Sequence, residues 1–447
     1  MKLSLLITAL VSVTSALPEP SYDSVPKTPA HNKPSLPEGN WNYGPYVDHL
    51  KDAQKKAKKA PKKYHKFPYG YQQPSFVGWN SFKAYGPNLG GWLLLERGIE
   101  PKFFTDNGAA SAQDEWNFCK VLGKKKCGRL LEQRYATWFT EKDVDLWAQY
   151  GVNTIRIPVG YWAFMKPVNG DTYYHGNQLK YLAKLANYAI QRKNMHIVLD
   201  LHGLPGGQNG LDNQGKIGDL NWWNNQTNFD HSIDLVRLAT QFIQRQPRPD
   251  QYTLGLVNEP LMQGPAFFGQ TDESIAYLNK YYKAALKVVR KLDPRQRIPV
   301  MLSDGFAGPN IWDQWWANSK QNIVFDTHIY YFIGGSYPQT APYEACYLAK
   351  SYENATNPVF IGEWSIQATS FNSKDVATRK NFFYSQAAAY EKYLNGGTFW
   401  SGKHFGTNVI GDKDGSTQES YWSFTQLIKD GVIVKRGQEG KVVQCNA

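Results

Sequence analysis

The chain has 447 residues, 42% hydrophobic and 20% charged, a globular composition with length for one large domain or two or three small ones. Its aromatic share is 15%, with 15 Trp and 28 Tyr, which suits either a large core or stacking on the apolar faces of sugar rings. The formal charge of +12 favours an anionic partner, yet part of it is confined to the N-terminal stretch, which argues against a nucleic-acid-binding surface on the folded body.

Lys2, the apolar run from Leu3 to Val13 and the small residues Thr14-Ser15-Ala16 read as a signal peptide over 1–16, so export is expected. That run is too short to span a bilayer, and no later segment reads as a span. The polar ending KVVQCNA gives no expectation of a lipid anchor. Residues 17–75 hold ten Lys against five acids and are rich in Pro. Such a stretch cannot bury a core and is expected to be a disordered leader; a removable propeptide also fits, and an anionic wall polymer suits its charge better than nucleic acid.

The texture changes for 76–447, which reads as one domain. Eight strands are predicted over 84–90, 152–159, 195–202, 252–259, 297–304, 322–330, 357–363 and 396–401. Runs such as VNTIRIPV and MHIVLDLH are apolar almost throughout, as strands buried on both faces must be. A helix opens at Thr140 with capping-box chemistry and runs towards Gly151; others are predicted over 178–193, 232–245, 273–292 and 374–394. Strand–helix alternation gives an α/β fold, and eight units are the number that closes a (β/α)8 TIM barrel. The rival, an open doubly wound sheet, lacks its phosphate loop, because the glycines of NLGGW have neither the spacing nor the following helix.

A barrel of this kind carries its site at the C-terminal strand ends. Strand two contains Arg156; strand three ends in Asp200 and His202, strand four in Asn258-Glu259-Pro260, strand six in His328 and Tyr330, strand seven in Glu363-Trp364 and strand eight in Trp400. Glycoside hydrolysis needs two carboxyls, one to protonate the leaving oxygen and one to attack the anomeric carbon or activate water. Glu259 and Glu363 sit across the expected barrel, where their carboxyls could lie about 5 Å apart, the spacing of a retaining enzyme. Arg156 is expected to keep Glu363 ionised, while burial and the charge of Glu363 would keep Glu259 neutral. Asp200 reads as structural, and His404 and Trp364 receive no role. No His/Cys set has zinc spacing, so neither metal nor cofactor is expected.

With NEP and GEW at the ends of strands four and seven, the chain from about Tyr85 to Trp400 resembles the cellulase-like glycoside hydrolases of family five. YGPNLGGWLLLE, GVNTIRIPVGYW, DLHGLPGGQNGLDNQG, THIYYF, IGEW and FWSGK are most similar to the fungal exo-β-1,3-glucanases. The resemblance implies Glu259 as acid/base and Glu363 as nucleophile, with Arg156 and Tyr330 on the nucleophile and Asn258 on the sugar 2-hydroxyl. It also implies His202 and His328 along the glycone subsite, and Trp400 as its platform. Glu96, Asp212 and Asn213 would bind outer hydroxyls and block one end of the cleft, which makes an enzyme exo-acting.

The chain departs from that pattern in three places. RGIEPKFF follows Glu96 where a Pro-Trp pair is usual, Leu211 replaces an aromatic clamp, and the cysteine expected after GEWSI is missing. Four cysteines allow three pairings, of which Cys119–Cys127 would close a small loop and Cys346–Cys445 would tie down the tail. Asn225 and Asn354 head glycosylation sequons. The expectation is a secreted, monomeric retaining β-glycosidase releasing glucose from β-1,3-glucan ends. Rivals are β-1,6-glucan or a small β-glucoside as substrate, and a wall-binding or transglycosylating role.

Overall fold

The computed structural model describes residues 75–412 and 414–443, together with Asp48, 51–52, 55–56 and 64–66. The signal peptide and most of the basic leader lie outside the described residues. The domain is a single (β/α)8 barrel. Its strands are β1 (Ala84–Pro87), β2 (Thr154–Gly160), β3 (His196–Gly203), β4 (Tyr252–Gly255), β5 (Val300–Ser303), β6 (Ile323–Tyr331), β7 (Val359–Ala368) and β8 (Gly396–Phe399). All neighbours pair in parallel in the order β1-β8-β7-β6-β5-β4-β3-β2. Parallel bridges Asn88–Arg156 and Leu93–Val159 close the ring between β1 and β2. A short antiparallel ribbon joins Tyr64–Lys66 to Lys441–Val443.

The eight strands fall where the apolar runs predict them, and their ends move for physical reasons. β4 stops at Gly255 rather than 259, because the chain turns so sharply beyond it that Glu259 takes φ +44°. β7 runs on to Ala368, five residues past the expected end, as β6 extends beside it to Tyr331.

Eleven helices are described: α1 (Pro101–Asp106), α2 (Glu115–Thr137), α3 (Glu141–Ala148), α4 (Gln178–Lys193), α5 (Gln226–Gln244), α6 (Asp272–Leu292), α7 (Asp313–Trp316), α8 (Ala341–Ser351), α9 (Val376–Tyr393), α10 (Glu419–Trp422) and α11 (Phe424–Lys429). The expected capping box at Thr140 and Asp143 opens α3. α5 begins six residues before the expected 232, with the Asn225 side chain accepting from Asn228 N as its cap. α2 escapes periodicity because Gly123, at φ +74°, breaks its helical phase inside the loop closed by the Cys119–Cys127 disulfide. Cys346 is also disulfide-bonded; Cys445, its expected partner, lies outside the described residues. Among the described residues no helix is long and apolar enough to cross a membrane.

The N-terminal end of the barrel is plugged. Phe76, Trp79 and Phe82 pack with Val198, Met301, Val324 and Phe360, near the starts of their strands, and Trp79 Nε1 donates to Thr253 Oγ1 at 2.9 Å. Asn395 ties the plug down, donating to the carbonyls of Trp79 and Phe82 while its own oxygen accepts from Val359 N. Only the opposite mouth, at the C-terminal strand ends, is left for chemistry.

Candidate active site

The centre of that mouth is Arg156, fully buried on β2. A buried guanidinium is tolerated only when its charge is matched, and three strands supply the match. Nη1 donates to Glu363 Oε1 at 2.8 Å and to Asn88 Oδ1 at 3.0 Å, and Nη2 donates to Asn258 Oδ1 at 2.8 Å. Nη2 also lies 3.1 Å from Asp200 Oδ2 and 3.5 Å from Asp326 Oδ2. Because side chains alternate along a strand, Asp200 shares a face with His202, and Asp326 with His328 and Tyr330. Each strand places one carboxylate beside Arg156 and carries its ring residues further along the same face.

Glu363 takes a second hydrogen bond from Tyr330 OH at 2.8 Å. Glu259 accepts from Asn213 Nδ2 at 2.7 Å and meets His328 Nδ1 at 2.8 Å. His328 stands in register with Glu363 across the β6–β7 ladder, and facing atoms of Glu259, His328 and Glu363 all lie within 4.8 Å of one another. His202 gives Nδ1 to Asp200 Oδ2 at 2.6 Å, and Asn258 Nδ2 approaches its Nε2 at 3.3 Å. The ring of Trp400 lies nearly parallel to that of His202, 5.7 Å between centroids.

Glu259 owes its position to a backbone that L-residues rarely adopt, which persists only where the surroundings over-determine it. Gln208, fully buried, does much of this. Its Nε2 donates to His202 O at 2.7 Å and Asn258 O at 3.0 Å, and its own carbonyl accepts from Leu261 N at 2.9 Å. The Gln208 side chain thus ties the end of β3 to the residue before the strained turn, and its backbone carbonyl holds the chain two residues past it.

The electrostatics reverse one expectation. Burial alone would lower an imidazolium, but the charges of Glu363 and Asp326 outweigh it and hold His328 well above its ordinary value. With that cation in place, burial raises Glu259 less than the bond and charge of His328 lower it, so its carboxyl falls below the usual range. For Glu363 burial wins over His328 and Arg156, and the carboxyl is raised. The sequence leads one to expect the opposite order. His328, whose Nδ1 lies 2.8 Å from Glu259 Oε1, is the largest influence lowering Glu259, with His202 and the Asn213 bond acting the same way, while burial and the charge of Glu259 raise Glu363. Groups this close titrate as a unit; a proton passed along the His328–Glu259 bond would leave a neutral Glu259 beside a Glu363 that accepts from Arg156 and Tyr330.

At the rim, Glu96 accepts from Gly91 N at 3.3 Å. Burial raises its carboxyl well above normal, and Asp212, Glu363 and Glu259 push the same way. Asp212 is partly exposed as a residue, but burial of its carboxyl, helped by the charge of Asp114, pushes it up to about 6. Leu211 is half-buried. The unusual segment after Glu96 becomes α1, fastened by Arg97 to the carbonyls of Ala110 and Ala112 and by the Glu100–Arg134 ion pair.

All eleven expected site residues thus gather in one mouth. Trp364 instead packs against Phe383, Phe399 and Tyr390. His404 is a buried neutral ring, pushed down to about 3 by burial, accepting from Gly406 N. The residues missed are Asn88, Gln208, Asn209 and Asp326. Asp326 was findable, two positions before His328 on the same strand face; the amides carry no signal in spacing or charge. Glu259, His328 and Glu363 form the one cluster among the described residues tight enough to suit a cation. Its carboxylates are already matched by Arg156, Tyr330, Asn213 and His328, which argues for a proton-handling pair over a metal site.

A (β/α)8 barrel with two facing glutamates in its C-terminal mouth is the architecture of a glycoside hydrolase. The chain belongs to glycosyl hydrolase family 5, whose cellulase model matches residues 124–404. It is 35% identical over 324 residues to "Probable glucan 1,3-beta-glucosidase A" of Aspergillus clavatus, covering 70% of this chain and 73% of that one. It is 32% identical over 295 residues to glucan 1,3-beta-glucosidase 1 of Schizosaccharomyces pombe, covering 64% and 69%. The crystal structure of rutinosidase from Aspergillus niger superposes with a TM-score of 0.75 at 34% identity, covering 80% of this chain and 100% of that one.

Proposed function

We propose that this enzyme is a secreted retaining β-glycosidase that removes glucose from the ends of β-1,3-glucan. One observation carries the mechanism: the carboxylates of Glu259 and Glu363 approach within 4.8 Å, too close for a water to be activated between them and suited to direct attack. Glu259 gives its proton to the glycosidic oxygen while Glu363 attacks the anomeric carbon, and a covalent glycosyl-enzyme forms. Glu259 then takes a proton from water, whose oxygen displaces Glu363. Arg156 and Tyr330 hold the nucleophile, Asn258 and His202 bond the sugar hydroxyls, and Trp400 offers its face to the ring. Glu96, Asp212 and Asn213 wall off one end, so a chain terminus enters. The names of the glucosidase relatives support glucan as substrate, and residues 1–16 support export.

A second reading is favoured by Leu211 and the altered segment after Glu96. Without the aromatic clamp the leaving-group side suits a small β-glycoside, and the likeness to a rutinosidase points the same way. A panel of β-1,3-, β-1,6- and β-1,4-glucans with a rutinoside, followed by sizing of early products, separates the readings. Glucose alone from β-1,3-glucan is expected. Oligosaccharides would mean endo action, and cleavage of the rutinoside alone would establish the second reading. A 2-fluoro-glucoside should label Glu363; product of inverted configuration with no label would overturn the double displacement.

A further inference from the structure

Three amides run in series from the loop after β3 to Glu259, and their polarity is fixed from the far end. Leu211 N donates to Asn209 Oδ1 at 2.9 Å. A backbone N–H can only donate, so the oxygen of Asn209 must face it and its NH2 must face the other way. That NH2 donates to Asn213 Oδ1 at 3.1 Å. Asn213 is thereby turned in its own right, and its Nδ2 donates to Glu259 Oε2 at 2.7 Å. Asn209 is fully buried, and its own N–H is held by Gln214 Oε1 at 2.8 Å, so it has little room to turn over.

We propose that Asn209 is a positioning residue: it orients the Asn213 amide so that the NH2, not the carbonyl, meets Glu259, and so biases the acid/base towards releasing its proton. The proposal rests on the acid/base reading of Glu259. A carboxylate can accept from an NH2, whereas a carbonyl in the same place could be met only by the protonated acid. The other ionisable groups around Glu259 are His328 on β6, Glu363 on β7, His202 on β3, Tyr330 on β6, Asp212 in the same loop and Glu96 after β1. None of them fixes the polarity of the Asn213 amide. The bond from Asn213 is what the relay controls, and it opposes the burial that would keep Glu259 protonated. The arrangement suits the second half of the reaction, when Glu259 must act as base, and it limits the pH range over which the first half has its acid.

Asn209→Asp tests this, since an aspartate can accept from Leu211 N but not donate to Asn213. Asn213 then has to turn its NH2 to the new carboxylate and its carbonyl to Glu259. The alkaline limb of kcat/KM against pH should move up by about one pH unit, the scale of one charge-assisted hydrogen bond. The added charge pushes in the same direction, so the same change is made in an Asn213→Ala background, where the relay is cut. There the shift should shrink to the small part due to charge. A shift of equal size in both backgrounds, or none in either, overturns the proposal. Should Asn209→Asp fail to fold by thermal unfolding, Asn209→Ala carries the test without a charge: an unmoved limb overturns it equally. Glu259→Ala, measured alongside, separates the two ideas. If that variant still cleaves poor leaving groups, the acid/base reading has failed; if it does not, and the Asn209 variants leave the limb in place, the relay alone has failed.

Discussion

Asn88 Oδ1 accepts from Arg156 Nη1 at 3.0 Å while Asn88 Nδ2 reaches three carbonyls, Gly362 O at 2.8 Å, Thr398 O at 3.1 Å and Phe399 O at 3.3 Å. One buried amide therefore closes the seam where β1 and β2 share only isolated bridges, and holds the arginine that holds Glu363. Asn88→Ala would take an acceptor from the buried Arg156 and a donor from Thr398 O, while Phe399 O keeps the backbone N–H of residue 88 and Gly362 O keeps Thr398 Oγ1, at roughly 1–3 kcal/mol for each group that water cannot reach. The expected loss in urea unfolding is about 2 kcal/mol or more, with a fall in kcat as Arg156 loosens. Stability within about 0.5 kcal/mol of the parent would mean the seam does not depend on Asn88.

The strand ends were legible because a strand buried on both faces leaves an apolar run, and a polar residue closing such a run stands out. His202, Glu259, His328 and Glu363 stand out in this way, and Arg156 as a charge inside such a run. What periodicity could not supply is how buried polar groups share protons and hydrogen bonds. The order of ionisation at Glu259 and Glu363 depends on burial and on the charges of His328 and Arg156 around them, and Gln208, Asn209 and Asn88 act through amide polarity, which spacing does not encode. α2 was hidden for a different reason: the kink at Gly123 shifts the helical phase partway along, so neither half shows a full amphipathic pattern.

Glu259→Ala removes the proton donor and leaves Glu363 in place. Substrates with good leaving groups need little protonation and should still form the glycosyl-enzyme. Those with poor leaving groups should lose about 10²–10⁴ in kcat/KM, the usual worth of general acid catalysis. A plot of log kcat/KM against leaving-group pKa for aryl β-glucosides should steepen in the variant. An unchanged slope would remove Glu259 from the acid role.

Gly362, the residue before the proposed nucleophile, is fixed by its neighbour. A Cβ there would sit 2.0 Å from Asp326 Oδ1 and 2.7 Å from its carboxyl carbon, and Asp326 is itself held beside Arg156 and His328. Gly362→Ala should therefore cost about 1–3 kcal/mol or more through overpacking, and displace the carboxylate that faces His328. Combined with Asp326→Ala, the glycine change should cost less than it does alone, because the clashing group is gone. Strictly additive losses in a double-mutant cycle would show that the clash is relieved elsewhere.

Glu115, fully buried at the start of α2, accepts from Leu95 N at 2.7 Å and Trp162 Nε1 at 2.8 Å, pinning the segment after β1 to the segment after β2. Burial pushes its carboxyl up to about 8 from an ordinary 4.5, the two hydrogen bonds and the Arg134 charge opposing it. Between those values the folded protein keeps a proton that the unfolded chain has released. The native state then binds more protons than the unfolded one, and stability must fall as pH rises. The contribution is fully present below 4.5 and is lost by the time pH passes about 8. Glu115→Gln cannot ionise, so its unfolding free energy should vary less between pH 5 and 8, even though the amide turns one donor face towards the groups that donate to Glu115 and lowers stability at pH 5. Denaturant melts across that range would decide it: parallel curves for the two proteins would mean the Glu115 carboxyl is already ionised at pH 5.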